Sequence, residues 1–102
     1  MVQWSPHRRP ADEAGRILEN MFYSYIIKSK KNGRLYVGST SDLKRRFSEH
    51  NKGQGGKYTK DNRPFEIVYY EAYISYDLAK QAEKFYKTGY GREVLKNKLN
   101  KN

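Results

Sequence analysis

Phe22-Tyr23-Ser24-Tyr25-Ile26-Ile27-Lys28, then Asn32-Gly33, then Arg34-Leu35-Tyr36-Val37-Gly38-Ser39 form the stretch whose reading decides the fold. The first run is aromatic and β-branched, the composition of a strand. Asn-Gly supplies the positive φ angles that a tight hairpin needs. The second run returns, with Leu35 and Val37 on one face and Tyr36 on the other with Gly38. The glycine leaves space beside the Tyr36 phenol, so that a substrate backbone can approach it closely. On the ordinary structural reading, Tyr36 is no more than a cross-strand aromatic partner for Tyr25.

Working outward, Thr40 or Ser41 can cap a helix that runs to about Asn51. Leu43 and Phe47 lie one turn apart and define its buried side. His50 falls almost on the same line and Arg46 on its shoulder, while Lys44, Arg45 and Ser48 point away. An arginine near a buried side needs an anionic partner, and a phosphate would serve. Residues 51–64 read as a loop whose three glycines and four basic residues could wrap a backbone phosphate, without the P-loop pattern. Phe65 to Tyr73 reads as a third strand, with Ile67 and Tyr69 opposite Val68 and Tyr70. Apolar character on both faces predicts cover on both sides.

Ser75 or Asp77 then caps a helix to about Lys87, with Leu78, Ala82 and Phe85 as its core stripe and Tyr86 beside them. Glu83 falls at or just beyond the border of that stripe, roughly 110–130° from its centre by the helical period. Its ordinary reading is a surface ion pair with Lys87 at i+4, worth ~0.3–0.5 kcal/mol. A last helix from Gly91 to about Lys101 turns Val94, Leu95 and Leu99 inward. These elements add up to a small α/β (α+β) domain, a three-stranded, largely antiparallel sheet flanked by helices. Residues 1–20 lack periodicity and read as a flexible N-terminal extension, with the domain over 21–102.

The chain of 102 residues carries 21 basic and 11 acidic side chains, a formal charge of +10. Arg8, Arg9 and Arg16 cancel against Asp12, Glu13 and Glu19, so the whole excess lies after residue 20. The ten tyrosines and four phenylalanines lie there too. A basic field interleaved with aromatics attracts a polyanion and can stack on exposed bases. With no cysteine, disulfides and thiolate metal sites are excluded, and two histidines are too few for a zinc site of the usual kind. No membrane-length apolar run, secretory h-region or acid-poor presequence is present, which makes a cytoplasmic location the expectation.

From Met21 to about Leu99 the ordered set of elements resembles a stand-alone GIY-YIG nuclease domain. It is similar to the incision domain of the excision-repair nuclease and to the domain of some intron-encoded homing endonucleases. Tyr36 and Gly38 match the second motif and Tyr25 the tyrosine of the first. Arg46 matches the catalytic arginine, His50 a position one turn later that is often histidine, and Glu83 the metal-binding glutamate. The first motif reads Tyr23-Ser24-Tyr25, so its glycine is absent. Lys57 and Tyr58 resemble the loop of small single-domain members, and Asn97 stands near a late asparagine found in some branches. With Gly38 and Arg45, these form a candidate substrate-binding set.

The resemblance implies a metal-dependent DNA endonuclease that leaves 5′-phosphate and 3′-hydroxyl ends, structure-selective in DNA repair or recombination. Glu83 would hold a single Mg²⁺ or Mn²⁺. Arg46 would clamp the non-bridging oxygens. Tyr36 could take the water's proton if nearby cations lower its pKa from about 10. His50 would orient the water or Tyr36, and Tyr25 would shape the pocket. The partner implied is DNA, with RNA open by the same chemistry, and the protein is expected as a monomer. Two rivals remain: a basic nucleic-acid-binding module that does not cut, and a catalytic half that needs a protein partner. Glu83 argues against the first, because without a metal it repels phosphate.

Overall fold

The computed structural model describes residues 20–100. The expected extension over residues 1–20 lies outside them except for Asn20. Strands β1 (Phe22–Ser29), β2 (Leu35–Thr40) and β3 (Phe65–Tyr73) form one antiparallel sheet in the order β2-β1-β3. Helix α1 (Leu43–Asn51) follows β2 and a short α2 (Lys57–Lys60) follows α1. Helices α3 (Tyr76–Tyr86) and α4 (Gly89–Leu99) close the order. The three-stranded α+β reading holds. The hairpin is broader than a two-residue turn, because Ser29 and Arg34 close it and Gly33 N–H reaches back to Ser29 O. The segment after α1 is also not all loop, since α2 lies within it.

Central strand β1 is hydrogen-bonded on both edges and buried on both faces. On one face Tyr25 and Ile27 meet Phe65, with Tyr36, Leu43, Phe47 and Ile67 packed around them. On the other Ile26 meets Tyr86 and Leu95, with Val37, Val68, Tyr69 and Leu99 around them. Ile26 and Ile27 are both fully buried, so consecutive residues anchor opposite layers. Burying such a side chain stabilises by about 1.5–3 kcal/mol.

The faces of β3 correct one expectation. Ile26 pairs with Tyr69 but Ile27 with Ile67, so Val68 is an extra residue in β3. This bulge breaks the alternation there. Ile67 joins the α1 layer, while Val68 and Tyr69 both join the α3/α4 layer, where the phase of Tyr69, Glu71 and Tyr73 continues. All three phenols of Tyr69, Tyr73 and Tyr86 then donate to the Glu71 carboxylate. Desolvation would raise that carboxyl's pKa, but the three donors outweigh it and hold it below the usual range.

Helix α3 is rotated relative to the expected stripe. Ala79 and Tyr86 are buried, whereas Leu78 and Phe85 are 42% and 38% exposed. The Tyr86–Glu71 hydrogen bond and the small Ala79 let this side sit close to the sheet, and the rotation carries Glu83 inward. Ser75 caps the helix as expected. For α1 the cap is Asp42, whose carboxylate accepts from Arg45 N–H, and Thr40 instead accepts from Asp42 N–H.

Between α3 and α4 the corner is tight: Thr88 caps α4 by accepting from Gly91 N–H and donates to Phe85 O. A Cβ at Gly91 would run into the Phe85 carbonyl, a backbone group that cannot swing aside. Gly91→Ala should therefore destabilise the fold by about 1–3 kcal/mol, the usual cost of forced overpacking. Thermal unfolding checks this, and a variant that melts with the parent would show that the corner is not under this constraint.

Candidate active site

Edge strand β2 runs through a groove of ≈ 820 Å³. From the α1 side come Tyr25, Tyr36, Gly38, Arg46 and His50, and from α3 comes Glu83. The matched residues are thus brought to one groove, which reaches from one layer to the other along the outer strand of the sheet. Among the described residues Glu83 is the only carboxylate that lines it. Six cations line it as well: Arg34, Arg46, Lys80, Lys87, Arg92 and Lys96. A concave wall with this charge balance suits a polyanion, because low-dielectric walls focus the field.

The α1 side is organised by a chain of hydrogen bonds. Tyr25 Oη lies 2.8 Å from His50 Nε2, and His50 Nδ1 lies 3.2 Å from Thr59 Oγ1. Thr59 donates its hydroxyl proton to Gly56 O, so it can only accept from the imidazole. This assigns the proton to Nδ1 and leaves Nε2 to accept from the Tyr25 phenol. His50 therefore orients Tyr25, not Tyr36. Burial, followed by the positive charge of Arg46, pushes the His50 pKa below its usual value, with Glu49 opposing. Burial likewise raises the Tyr25 phenol's pKa, against the pull of Arg46.

The space at Gly38 also belongs to Tyr25. The two residues are opposite each other in register, and a Cβ at Gly38 would overlap the Tyr25 hydroxyl. The glycine therefore admits an internal phenol, not a substrate backbone beside Tyr36. Tyr36 packs edge-on against Phe65 with ring centroids 5.4 Å apart.

Arg46 has its anionic partner within the chain: Nη1 donates to Glu49 Oε1 at 3.1 Å, and Nη2 reaches Gly55 O at 3.4 Å. A phosphate is not needed to balance it, although its side chain remains 33% exposed. Glu83 does pair with Lys87 at i+4, with Nζ to Oε2 at 2.7 Å. It is not a surface pair, since the Glu83 side chain is only 13% exposed. Ser39 Oγ donates to Oε1 at 2.6 Å and Lys80 Nζ to the same oxygen at 3.2 Å. Desolvation alone would raise the pKa of Glu83, but Lys87, Ser39 and Lys80 together hold it low.

Three expected contact residues lie elsewhere. Arg45 is exposed and turned to Asp42 and Glu49. Lys57 is exposed at the start of α2, outside the groove lining. Asn97 is exposed one residue beyond Lys96, which does line the groove; a 100° step on α4 separates them. The Tyr58 side chain lies outside the described residues. Sequence reasoning passed over Ser39, Thr59, Arg92 and Lys96. Only the i,i+4 spacing of Arg92 and Lys96 signalled that two cations share a helix face.

A small α+β domain with one carboxylate, three phenols and a cationic lining along a sheet edge is the class that fold and site define together. The chain matches the GIY-YIG catalytic domain family over residues 21–100 and belongs to it. It is 41% identical over 80 residues to a UPF0213 protein of Pediococcus acidilactici, covering 76% of this chain and 81% of the relative. It is also 41% identical over 68 residues to the UPF0213 protein YazA of Bacillus subtilis, covering 67% and 68%. A UPF0213 protein of Bacillus halodurans solved by NMR aligns with 34% identity and a TM-score of 0.47, over 76% of this chain and 83% of that one.

Because the His50 pKa is lowered by folding, the unfolded chain takes up a proton first, at a pH of about 6.5. The stability that His50 contributes is present above that pH and is lost as pH falls below it. The melting temperature should fall between about pH 7.5 and about pH 5.5, and His50→Gln should flatten that segment. An NMR titration midpoint for the His50 ring at or above about 6.5 would contradict the assignment.

Proposed function

We propose that this protein is a divalent-metal-dependent DNA endonuclease that hydrolyses phosphodiesters to 5′-phosphate and 3′-hydroxyl ends. The observation that carries the reading is the convergence on one groove of Arg46, Glu83, three phenols and a neutral imidazole, under a surplus of cations. A carboxylate in that lining repels phosphate, so a binding module would gain from it only the ties to Ser39, Lys80 and Lys87.

Arg46 is the phosphate clamp: its planar fork can pair with two non-bridging oxygens, with Glu49 holding it in place until substrate arrives. Tyr25 and His50 form a path for the water's proton. A water on Tyr25 Oη can give up its proton there while the phenol's own proton passes to His50 Nε2. The lowered pKa of His50 keeps Nε2 unprotonated at neutral pH and ready to accept. Tyr36, expected as the proton acceptor, has its hydroxyl buried and its ring packed on Phe65, so in this scheme it is a wall of the groove that holds the neighbouring groups in place. Glu83 with Ser39 is a hard oxygen donor set, which suits Mg²⁺ or Mn²⁺ with water and phosphate in the remaining positions. Such an ion supplies charge relief at the phosphorane and at the leaving oxygen.

The family likeness supports a role in DNA repair or recombination, with DNA structure recognised more than sequence. A domain of this size offers little surface for base readout, since single modules bury ~600–1,000 Å². The same limit supports a protein partner for targeting.

Cleavage assays on single strands, flaps and junctions, with and without Mg²⁺ or Mn²⁺, test the reading. Arg46→Ala and Glu83→Gln should each lower the rate by at least ~10²–10³, the loss typical of one transition-state donor. Glu83→Gln should hold or raise DNA affinity without metal, because a negative charge leaves the groove. Tyr25→Phe should keep the fold and lose cleavage. Wild-type protein that binds every substrate and cuts none would establish the binding module instead.

Affinity for DNA should fall by roughly 10³-fold between about 50 and 200 mM salt if ~6 phosphates are met by the six groove cations. Affinity that is flat over this range would remove the electrostatic case for a nucleic-acid partner.

A further inference from the structure

The Glu83 carboxylate is already in full use by groups of its own chain. Oε1 accepts from Ser39 Oγ at 2.6 Å and from Lys80 Nζ at 3.2 Å, and Oε2 from Lys87 Nζ at 2.7 Å. A divalent ion at these oxygens would meet two ammonium groups at contact distance, and like charges so close in a partly desolvated site repel strongly. The two lysines differ from their partner in freedom. Glu83 is 13% exposed and tied to β2 through Ser39, whereas Lys80 and Lys87 are 42% and 52% exposed on long stems. Both also line the groove that a backbone would enter.

We propose that Lys80 and Lys87 are exchange cations: they neutralise Glu83 in the free protein and move to backbone phosphates when DNA enters. This rests on the reading of Glu83 as the metal ligand. Each phosphate then draws an ammonium off the carboxylate and leaves it open to the metal. DNA and metal binding become coupled, and each raises the affinity for the other by the same factor. The free protein holds metal weakly, which keeps the site discharged until a phosphate backbone is in place. Lys87, with the shorter contact to Glu83 and the greater exposure of the two, carries the larger share.

The test uses the whole protein and two readouts that do not depend on turnover. Mn²⁺ affinity of the free protein is measured by electron paramagnetic resonance. Affinity for a duplex is measured by fluorescence anisotropy in EDTA over a salt series. Lys87→Met keeps most of the stem and removes the charge, and at an exposed position it leaves the fold intact. It should tighten Mn²⁺ binding about tenfold, which corresponds to ~1.4 kcal/mol. In the same variant DNA binding should weaken, and the salt slope should fall by about one. Lys87→Arg should keep weak metal binding, because the charge stays. Glu83→Gln should abolish Mn²⁺ binding.

If Lys87→Met leaves Mn²⁺ affinity unchanged while Glu83→Gln abolishes it, the exchange is wrong and the metal ligand stands. Unchanged DNA affinity and salt slope in Lys87→Met would likewise overturn the exchange, because the lysine would then meet no phosphate. If Glu83→Gln binds Mn²⁺ as the parent does, the metal reading fails and the exchange falls with it.

Discussion

Strand β1 has no free edge and no free face, and every part of the site is placed through that constraint. Its two edges fix β2 and β3 by backbone hydrogen bonds in a single register. Its two faces fix the helices, with Tyr25 and Ile27 seating the α1 layer and Ile26 seating the α3 and α4 layer. Because Tyr25 belongs to this strand, a phenol of the groove is held by a backbone bonded on both edges. Gly38 lies across the register from it and leaves the ring the room it needs. The β2 strand is left on the outside, where groups from both layers can meet along its edge.

Burial and charge oppose each other across this groove, and the outcome differs from group to group. At His50 burial prevails and Arg46 acts with it, so the imidazole stays neutral. At Glu83 the neighbouring lysines and Ser39 prevail over burial, so the carboxylate stays ionised. The groove thereby holds an uncharged imidazole and a charged carboxylate together. Glu71 shows that the same fold can hold a carboxylate in a second way, with three phenols as donors. Its partners come from β3 and α3, and the bulge at Val68 is what brings the β3 pair to that face.

The sheet and its helices were legible because their signals are local. The aromatic and β-branched run Tyr23 to Ile27, the Ser75 cap and the apolar positions Val94, Leu95 and Leu99 each act within a few residues. The position of Glu83 was less legible. Its distance from the apparent stripe Leu78–Ala82–Phe85 placed it at the border, because hydropathy cannot show that a tyrosine hydroxyl bound to Glu71 will turn the helix. The bulge at Val68 was likewise invisible, since an extra residue in a uniformly apolar strand leaves no mark on the pattern. The likeness to a family supplied the matched residues but not their partners. The Arg46–Glu49 pair could have been read from its i,i+3 spacing, but that His50 leans on Tyr25, 25 residues away, is a property of packing that spacing does not encode.

The residues of the groove span the chain from Tyr25 to Lys96, and its layers are drawn from widely separated segments. Strand β1 pairs with β3 only after more than a third of the chain has intervened, and α4 adds Arg92 and Lys96 after that. A chain emerging from the ribosome presents its N-terminal segments first. Half-made molecules therefore carry phenols and an arginine without the carboxylate or its lysines, and the groove with its charge balance cannot assemble on them. A domain stitched together by its first strand thus has its groove unfinished until its last helix has docked.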